Sequence, residues 1–179
     1  MSRMLAHAAI TAAAFVNIGC GGSTASNPGT VDSNAVIATG MGADVDRDVA
    51  RIRAATAAYH VLDAAVADGY PREVSSCIAN AQQGGMGYHH QNAALLDDVI
   101  ELERPEILVY ERMPDGEYRL NGVEYVVPFS VRPPTAEPPV VMGQPLKPAP
   151  ALGIWYRHVW VWRDNPSGLF ADWNPWVKC

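Results

Sequence analysis

The amino-acid sequence predicts an α+β fold, in which one long N-terminal helix packs on a twisted antiparallel sheet or a partial barrel. Apolar residues recur at helical spacing over residues 46–68. Segments rich in β-branched and aromatic residues follow over residues 84–163, and turn signals join them. Because helices do not alternate with these segments, the pattern disfavours a parallel sheet built from βαβ units.

The predicted helix has recognisable ends. Asp46 is a good N-cap residue. Gly69, followed by Tyr70-Pro71, is typical of a helix C-terminus, because glycine adopts the left-handed cap conformation and proline cannot continue the helix. The apolar face comprises Ile52, Ala55, Tyr59, Leu62 and Val66.

The rest of the domain is predicted to consist mainly of strands and turns. Asp115-Gly116 is a turn signal between two strands, which are therefore expected to form a hairpin. Residues 93–102 are expected to form a short helix or turn. Eight of the 14 prolines lie in residues 128–150, so this segment is predicted to be a long loop, either a surface excursion or a flap over a pocket. The predicted strands are residues 84–90, 106–112, 118–127 and 155–163.

The composition is that of a globular protein. The chain has 179 residues, of which 49% are hydrophobic and 18% charged, and its length suits one domain with a tail. Its formal net charge of -6 argues against nucleic acid as a partner, because such proteins need a basic face to replace phosphate counterions.

The first residues have the layout of a secretory signal peptide. Arg3 is followed by an apolar run, residues 8–16, that is shorter than the about 20 residues of a membrane-spanning helix. Residues 17–20 resemble a bacterial lipobox, in which Cys20 is the lipidated residue, although Asn17 replaces the usual aliphatic residue. The alternative is ordinary cleavage after Ala25, which ends a small-x-small site.

The sequence therefore predicts three regions: a signal peptide (1–19), a flexible tether (20–44) rich in small and polar residues, and one globular domain (45–179). Lipidation of Cys20 would anchor the mature protein to a membrane. Because Gly21, and not an acidic residue, comes directly after Cys20, the outer membrane is favoured where the organism has two. Without lipidation the protein would be secreted.

Export also bears on the other two cysteines, Cys77 and Cys179. Disulfides persist in oxidising compartments, so these residues are expected to pair and to pin the C-terminus. The alternative is two independent thiols.

The domain resembles an uncharacterised group of exported bacterial proteins. The resemblance is carried by GGMGYHH (84–90), GVEYVVP (122–128), HVWVWRDNPSGLFADWNP (158–175) and the terminal Cys179. It covers roughly residues 47–179. It supports the domain boundaries and implies no particular chemistry.

Histidines and one carboxylate provide the candidate site. His89 or His90 can face His158 from an adjacent strand, and Glu124 lies in an otherwise apolar strand. A buried carboxylate needs a proton, a partner or a cation, and imidazoles with a carboxylate are typical ligands of Zn, Cu, Fe and Mn. In the alternative interpretation, the histidines bond to the backbone or to tyrosines, and Glu124 pairs with Arg119 or Arg157.

Alternation along the last predicted strand places four side chains on one face. Such a face can line a pocket for an apolar or planar ligand, or it can be core packed under the helix. The four residues are Tyr156, His158, Trp160 and Trp162.

These observations predict an exported envelope protein whose pocket, lined by His, Glu and Trp, binds a metal ion or a small ligand. The alternative is a structural or partner-binding protein in which the same residues form the core. Common catalytic signatures such as G-x-S-x-G and H-E-x-x-H are absent from the sequence, so whether the protein is an enzyme stays open.

Overall fold

The computed structural model describes residues 41–179, except for the side chain of Arg72. The predicted signal peptide (1–19), the lipidation residue Cys20 and most of the predicted tether (20–44) lie outside the described residues. The described elements are α1 (Ala43–Thr56), a 3-10 turn (Ala57–His60), α2 (Leu62–Ala67), β1 (Arg72–Asn80), β2 (Gly84–Gln91), a second 3-10 turn (Ala93–Leu95), β3 (Ile107–Arg112), β4 (Tyr118–Pro128), β5 (Val140–Val141), β6 (Gln144–Pro145), β7 (Lys147–Ala149) and β8 (Ile154–Val159).

The prediction of one long helix over 46–68 is wrong, because the helix breaks at Val61, whose backbone is extended. The hydroxyl of Thr56 donates to the Ile52 carbonyl, a contact that bends helices. The hydroxyl of Tyr110, in β3, donates to the backbone carbonyl of Tyr59. In a continuous α-helix that carbonyl would accept from an amide of the same helix. A side-chain bond within the helix thus lies at the end of α1, and a contact from β3 lies in the 3-10 turn that follows it.

Both ends of the helical region are defined. α1 begins at Ala43, three residues before the predicted cap Asp46, and no side-chain hydrogen bond caps it. The predicted end at Gly69 is confirmed: its φ is 98°, and the amide of Tyr70 donates to the Ala65 carbonyl at 2.9 Å. This pattern satisfies the last carbonyls of α2.

The main sheet has six strands in the order β1-β2-β3-β4-β8-β7, and every neighbouring pair is antiparallel. The predicted hairpin of β3 and β4 is confirmed, and the amide of Met113 donates to the Glu117 carbonyl across its turn. β1 was not anticipated from the sequence. The sheet is curled into a half-barrel, and register shifts in the β1–β2 and β3–β4 pairs increase its twist.

The proline-rich segment 128–150 is more ordered than the predicted loop. It contains the small β5–β6 pair, and β7 joins the main sheet beside β8. Pro148 lies within β7, at the edge of the sheet, where a missing N–H breaks no interior ladder bond.

The two faces of the sheet differ. One face packs against α1 and α2 and forms the larger hydrophobic core, to which Ile52, Tyr110 and Tyr125 belong with no side-chain exposure. The other face carries a smaller apolar cluster, formed by Ile107, Val109 and Val126 and their neighbours.

The C-terminal tail is held to β1 and to the start of β2. The structure contains the expected Cys77–Cys179 disulfide, with Cα atoms 5.4 Å apart. Asn174 forms an isolated antiparallel bridge with Gly85, and Val177 is buried. A side chain on Gly85 would meet Val177 at 2.9 Å, so the missing Cβ allows this close approach.

Candidate metal centre

Strand alternation divides the candidate residues between the two faces of the sheet. In β4, Val123 and Tyr125 belong to the helix-side core, so Glu124 between them points to the opposite face. In β8, His158 lies directly opposite Glu124 in the antiparallel register. His89 of β2 lines the same cavity as these two residues.

The three side chains converge on one point. The Nε2 atoms of His89 and His158 are 3.2 Å apart. Glu124 places Oε2 at 3.7 Å from Nε2 of His89 and Oε1 at 3.7 Å from Nε2 of His158. One ligand atom from each residue lies within 4.8 Å of the others, and all three residues are buried.

These separations fit a shared ion. Zinc–ligand bonds of about 2.0–2.1 Å in tetrahedral geometry place neighbouring ligand atoms about 3.3–3.4 Å apart. The distances of 3.2 Å and 3.7 Å lie on either side of that value. Each 3.7 Å distance ends on a different oxygen of Glu124, and with one shared oxygen the three ligand atoms lie within 4.8 Å of one another, so the buried His–Glu–His cluster can hold a metal ion once the side chains close around it.

Curvature of the sheet makes this convergence possible. β3 and β4 separate β2 from β8, so in a flat sheet the two histidines would belong to strands about 14 Å apart. Gly122 contributes to the close packing of β4 on β8, because a Cβ there would lie 2.6 Å from the Val159 carbonyl oxygen.

Burial controls the protonation of the cluster. It lowers the pKa of His89 to about 4 and that of His158 well below its ordinary value. Burial, together with the charges of Asp172 and Glu106, raises the pKa of Glu124 to about 8. At neutral pH the metal-free imidazoles are therefore neutral, which is the form that binds metals.

Contacts behind the ligands orient the two rings. The Ser75 hydroxyl lies 2.9 Å from Nδ1 of His89, which leaves Nε2 for the cluster. The indole of Trp160 stacks on His158, with an interplanar angle of 15°. Within the described part of the chain, Nδ1 of His158 has no hydrogen-bond partner.

His90, predicted as an alternative ligand, does not belong to the cluster. It follows His89 in β2, so its side chain points to the opposite face. There it packs edge-on against Tyr110 and Tyr118 and lies 3.9 Å from Glu73. Only one residue of the His-His pair reaches His158.

The arginine partners considered for Glu124 are engaged elsewhere. Arg119 pairs with Glu111 across the β3–β4 hairpin. Arg157 donates to the Pro145 carbonyl. The carboxylate of Glu124 instead lies beside His89 and His158.

A cavity of about 510 Å³ opens beside the cluster. Of the predicted pocket residues, Tyr156 and His158 line it and Trp160 and Trp162 do not. The reason is that β8 ends at Val159, so the alternation stops before both tryptophans. Trp160 lies behind His158, and Trp162 bonds to Thr56 on the helix side.

Sequence reasoning missed two residues near the site. Ser75 belongs to β1, a strand without a distinctive apolar pattern, so nothing in the sequence linked it to His89. Glu106 immediately precedes β3 and is 1% exposed; its Oε2 accepts a hydrogen bond from the Val126 amide at 3.0 Å. The sequence signal that could have identified Glu106 was its position as a single acidic residue directly before the apolar residues of β3.

Among residues 41–179, no helix has the length and apolar character needed to cross a membrane. In comparisons with known proteins, the chain matches no family model, no curated protein and no solved structure. The resemblance of residues 47–179 to exported bacterial proteins therefore stays a prediction.

Proposed function

We propose that this chain is an exported, lipid-anchored envelope protein that binds one divalent transition-metal ion through His89, Glu124 and His158. The observation that carries this proposal is the convergence of two imidazole nitrogens and a carboxylate from three separate strands. Buried side chains with these spacings suit zinc, iron, manganese or copper.

The three protein ligands would not fill the coordination sphere of the ion. Three protein ligands leave at least one coordination position of the ion open, as in metal sites that bind water or a substrate. Because all three ligands line the cavity, that position faces the cavity rather than the packed core. A metal-bound water or a small ligand would occupy it, and any catalysis there would be metal-assisted.

A specific observation favours a second candidate, a structural envelope protein without a metal. The 3.2 Å between the histidine nitrogens also suits a hydrogen bond, in which one neutral imidazole donates to the other. A protonated Glu124 would complete a neutral buried network.

Metal titration distinguishes the two candidates. We expect the untagged protein to bind one equivalent of Zn²⁺ in calorimetry and to gain thermal stability. Glu124→Gln keeps the shape of the side chain and removes the anionic ligand, so it should fold and bind Zn²⁺ at least tenfold more weakly. His90→Gln is the matched control and should bind as the wild type does. No binding by the wild type, or equal binding by Glu124→Gln, would refute the metal site.

Localisation has its own test. Cys20→Ala removes the proposed lipid attachment site and should release the protein from membranes, which fractionation would detect. Gly21 after the cysteine favours the outer membrane where two are present. Unchanged membrane association of Cys20→Ala would contradict lipid anchoring and leave the metal proposal unaffected.

A further inference from the structure

The cavity beside the metal cluster has room for much more than an ion. Its volume of about 510 Å³ lies in the range of small-molecule sites. At about 30 Å³ per water molecule in the liquid, this equals the space of about 17 waters. The site therefore accommodates an organic ligand of more than ten non-hydrogen atoms.

The wall of this cavity is mostly apolar. Ten of its 16 lining residues have aliphatic, methionine or proline side chains. Polar groups outside the cluster come from Ser75, Gln91 and Tyr156. A sugar or a peptide needs many more hydrogen-bond partners, because unpaired polar groups are costly to bury. The wall suits a hydrocarbon chain or ring.

Charge restricts the head group of the ligand. Among the cavity-lining residues in the described part of the chain, Glu124 is the one acid, and no lysine or arginine is present. A divalent ion bound to that carboxylate leaves one net positive charge. A single anionic head group bound to the ion would neutralise it, whereas a second charge would be buried without a partner.

The rim of the cavity is apolar as well. Leu152 lines the cavity and is 73% exposed, while Val74 and Ile78 are 39% and 37% exposed. These three side chains come from the β7–β8 turn and from β1, so apolar surface continues from the wall to solvent. An aliphatic chain would be in contact with apolar side chains from the ion to the rim.

We propose that the ligand of this cavity is a medium-chain aliphatic monocarboxylate, whose carboxylate binds the metal ion and whose chain lies along the apolar wall. This inference rests on the proposed metal site. The ligand is bound and not transformed, so it needs no co-reactant.

The test is calorimetry of the zinc-loaded full chain with butyrate, hexanoate and octanoate. Each added methylene that is buried should tighten binding about fourfold, which gives about 200-fold between butyrate and octanoate. Octanol, which lacks the anionic head, should bind the zinc-loaded protein at least tenfold more weakly than octanoate does. Octanoate should also bind the metal-free protein at least tenfold more weakly than the zinc-loaded protein. Equal affinities along the series, or equal affinities with and without zinc, would overturn the inference.

A variant pair locates the chain. Leu152→Glu places a charge on the apolar rim at an exposed position, so it should fold normally and weaken octanoate binding at least tenfold, with a much smaller effect on butyrate and with zinc affinity unchanged. Val140→Glu, at a position that is 57% exposed and outside the cavity, is the control and should bind octanoate normally. Unchanged octanoate binding by Leu152→Glu would contradict the proposed path.

The two proposals fail in different ways. If zinc does not bind, the proposed function is refuted and the ligand inference is refuted with it. If zinc binds with one equivalent and the carboxylate series shows no dependence on chain length, only the ligand inference is refuted.

Discussion

Removing the Cys77–Cys179 disulfide should lower the stability of the domain by several kcal/mol. The bond joins residues separated by 102 positions and so closes most of the described chain into one loop. For a loop of about 100 residues, the loss of unfolded-state entropy corresponds to about 4.7 kcal/mol, and removal of native disulfides typically costs about 2–5 kcal/mol.

The corresponding shift in melting temperature follows from the size of the domain. With about 2.1 cal/mol/K of unfolding entropy per residue, residues 41–179 have about 0.29 kcal/mol/K. A loss of about 2–5 kcal/mol therefore lowers Tm by about 7–17 °C. Contacts of the tail that do not need the bond, such as the Gly85–Asn174 bridge, remain in the variant.

Differential scanning calorimetry of the Cys77→Ser, Cys179→Ser double variant measures this shift. The reductant-treated wild type is the control: its Tm should fall to that of the variant, whose own Tm should not respond to reductant. A Tm change below about 2 °C would refute the loop-entropy argument. Free thiols at both Cys77 and Cys179 in the untreated protein would refute the pairing itself.

Three further predictions concern stability and the assignment of faces. Burial raises the pKa of Glu106 to about 8, so the folded state keeps a proton that the unfolded state loses above about pH 4.5. Tm of the metal-free protein should therefore fall between pH 4.5 and 8, and Glu106→Gln should reduce that fall; an unchanged pH profile would contradict the shift. Gly122→Ala places a Cβ 2.6 Å from the Val159 carbonyl and should cost about 1–3 kcal/mol in denaturant unfolding; wild-type stability would show that β4 and β8 have room to separate. Trp162→Phe removes the 3.0 Å bond to Thr56 and should cost about 1 kcal/mol, with zinc affinity unchanged in calorimetry; a weaker zinc affinity would show that Trp162 supports the cluster.

Local sequence signals predicted the elements whose ends depend on residues nearby in the sequence. The β3–β4 hairpin follows from two β-rich segments around Asp115-Gly116, and the end of α2 follows from Gly69. Pairing of Cys77 with Cys179 was predictable once export was assumed. The ligand set was predictable only as a group of candidates, because residue type limits which side chains bind metals.

Long-range contacts determined the features that the sequence predicted wrongly. The apolar spacing over 46–68 continues through Val61, but Thr56 bonds back to the Ile52 carbonyl, Tyr110 of β3 bonds to the Tyr59 carbonyl, and the α-helix stops at Thr56. The alternation over 155–163 continues to Trp162 in the sequence, but the regular pairing of β8 with β4 ends at Val159. The amides of Trp162 and Arg163 both donate to the Asn121 carbonyl, so the alternation of faces does not extend to the tryptophans. A periodic pattern predicts which residues share a face of a helix or strand. The length of that helix or strand depends on the elements that pack against it.

The sequence by itself determined the α+β class, the turn of the β3–β4 hairpin and the residue types available for a metal site, and it predicted the cysteine pair only on the assumption of export. Only the tertiary structure decided between His89 and His90, because adjacent strand residues face opposite sides and the sequence does not tell which side is concave. Curvature of the sheet then brought β2 and β8 together across two intervening strands. That curvature arises from the packing and register of all the strands at once, so no local segment of the sequence encodes it.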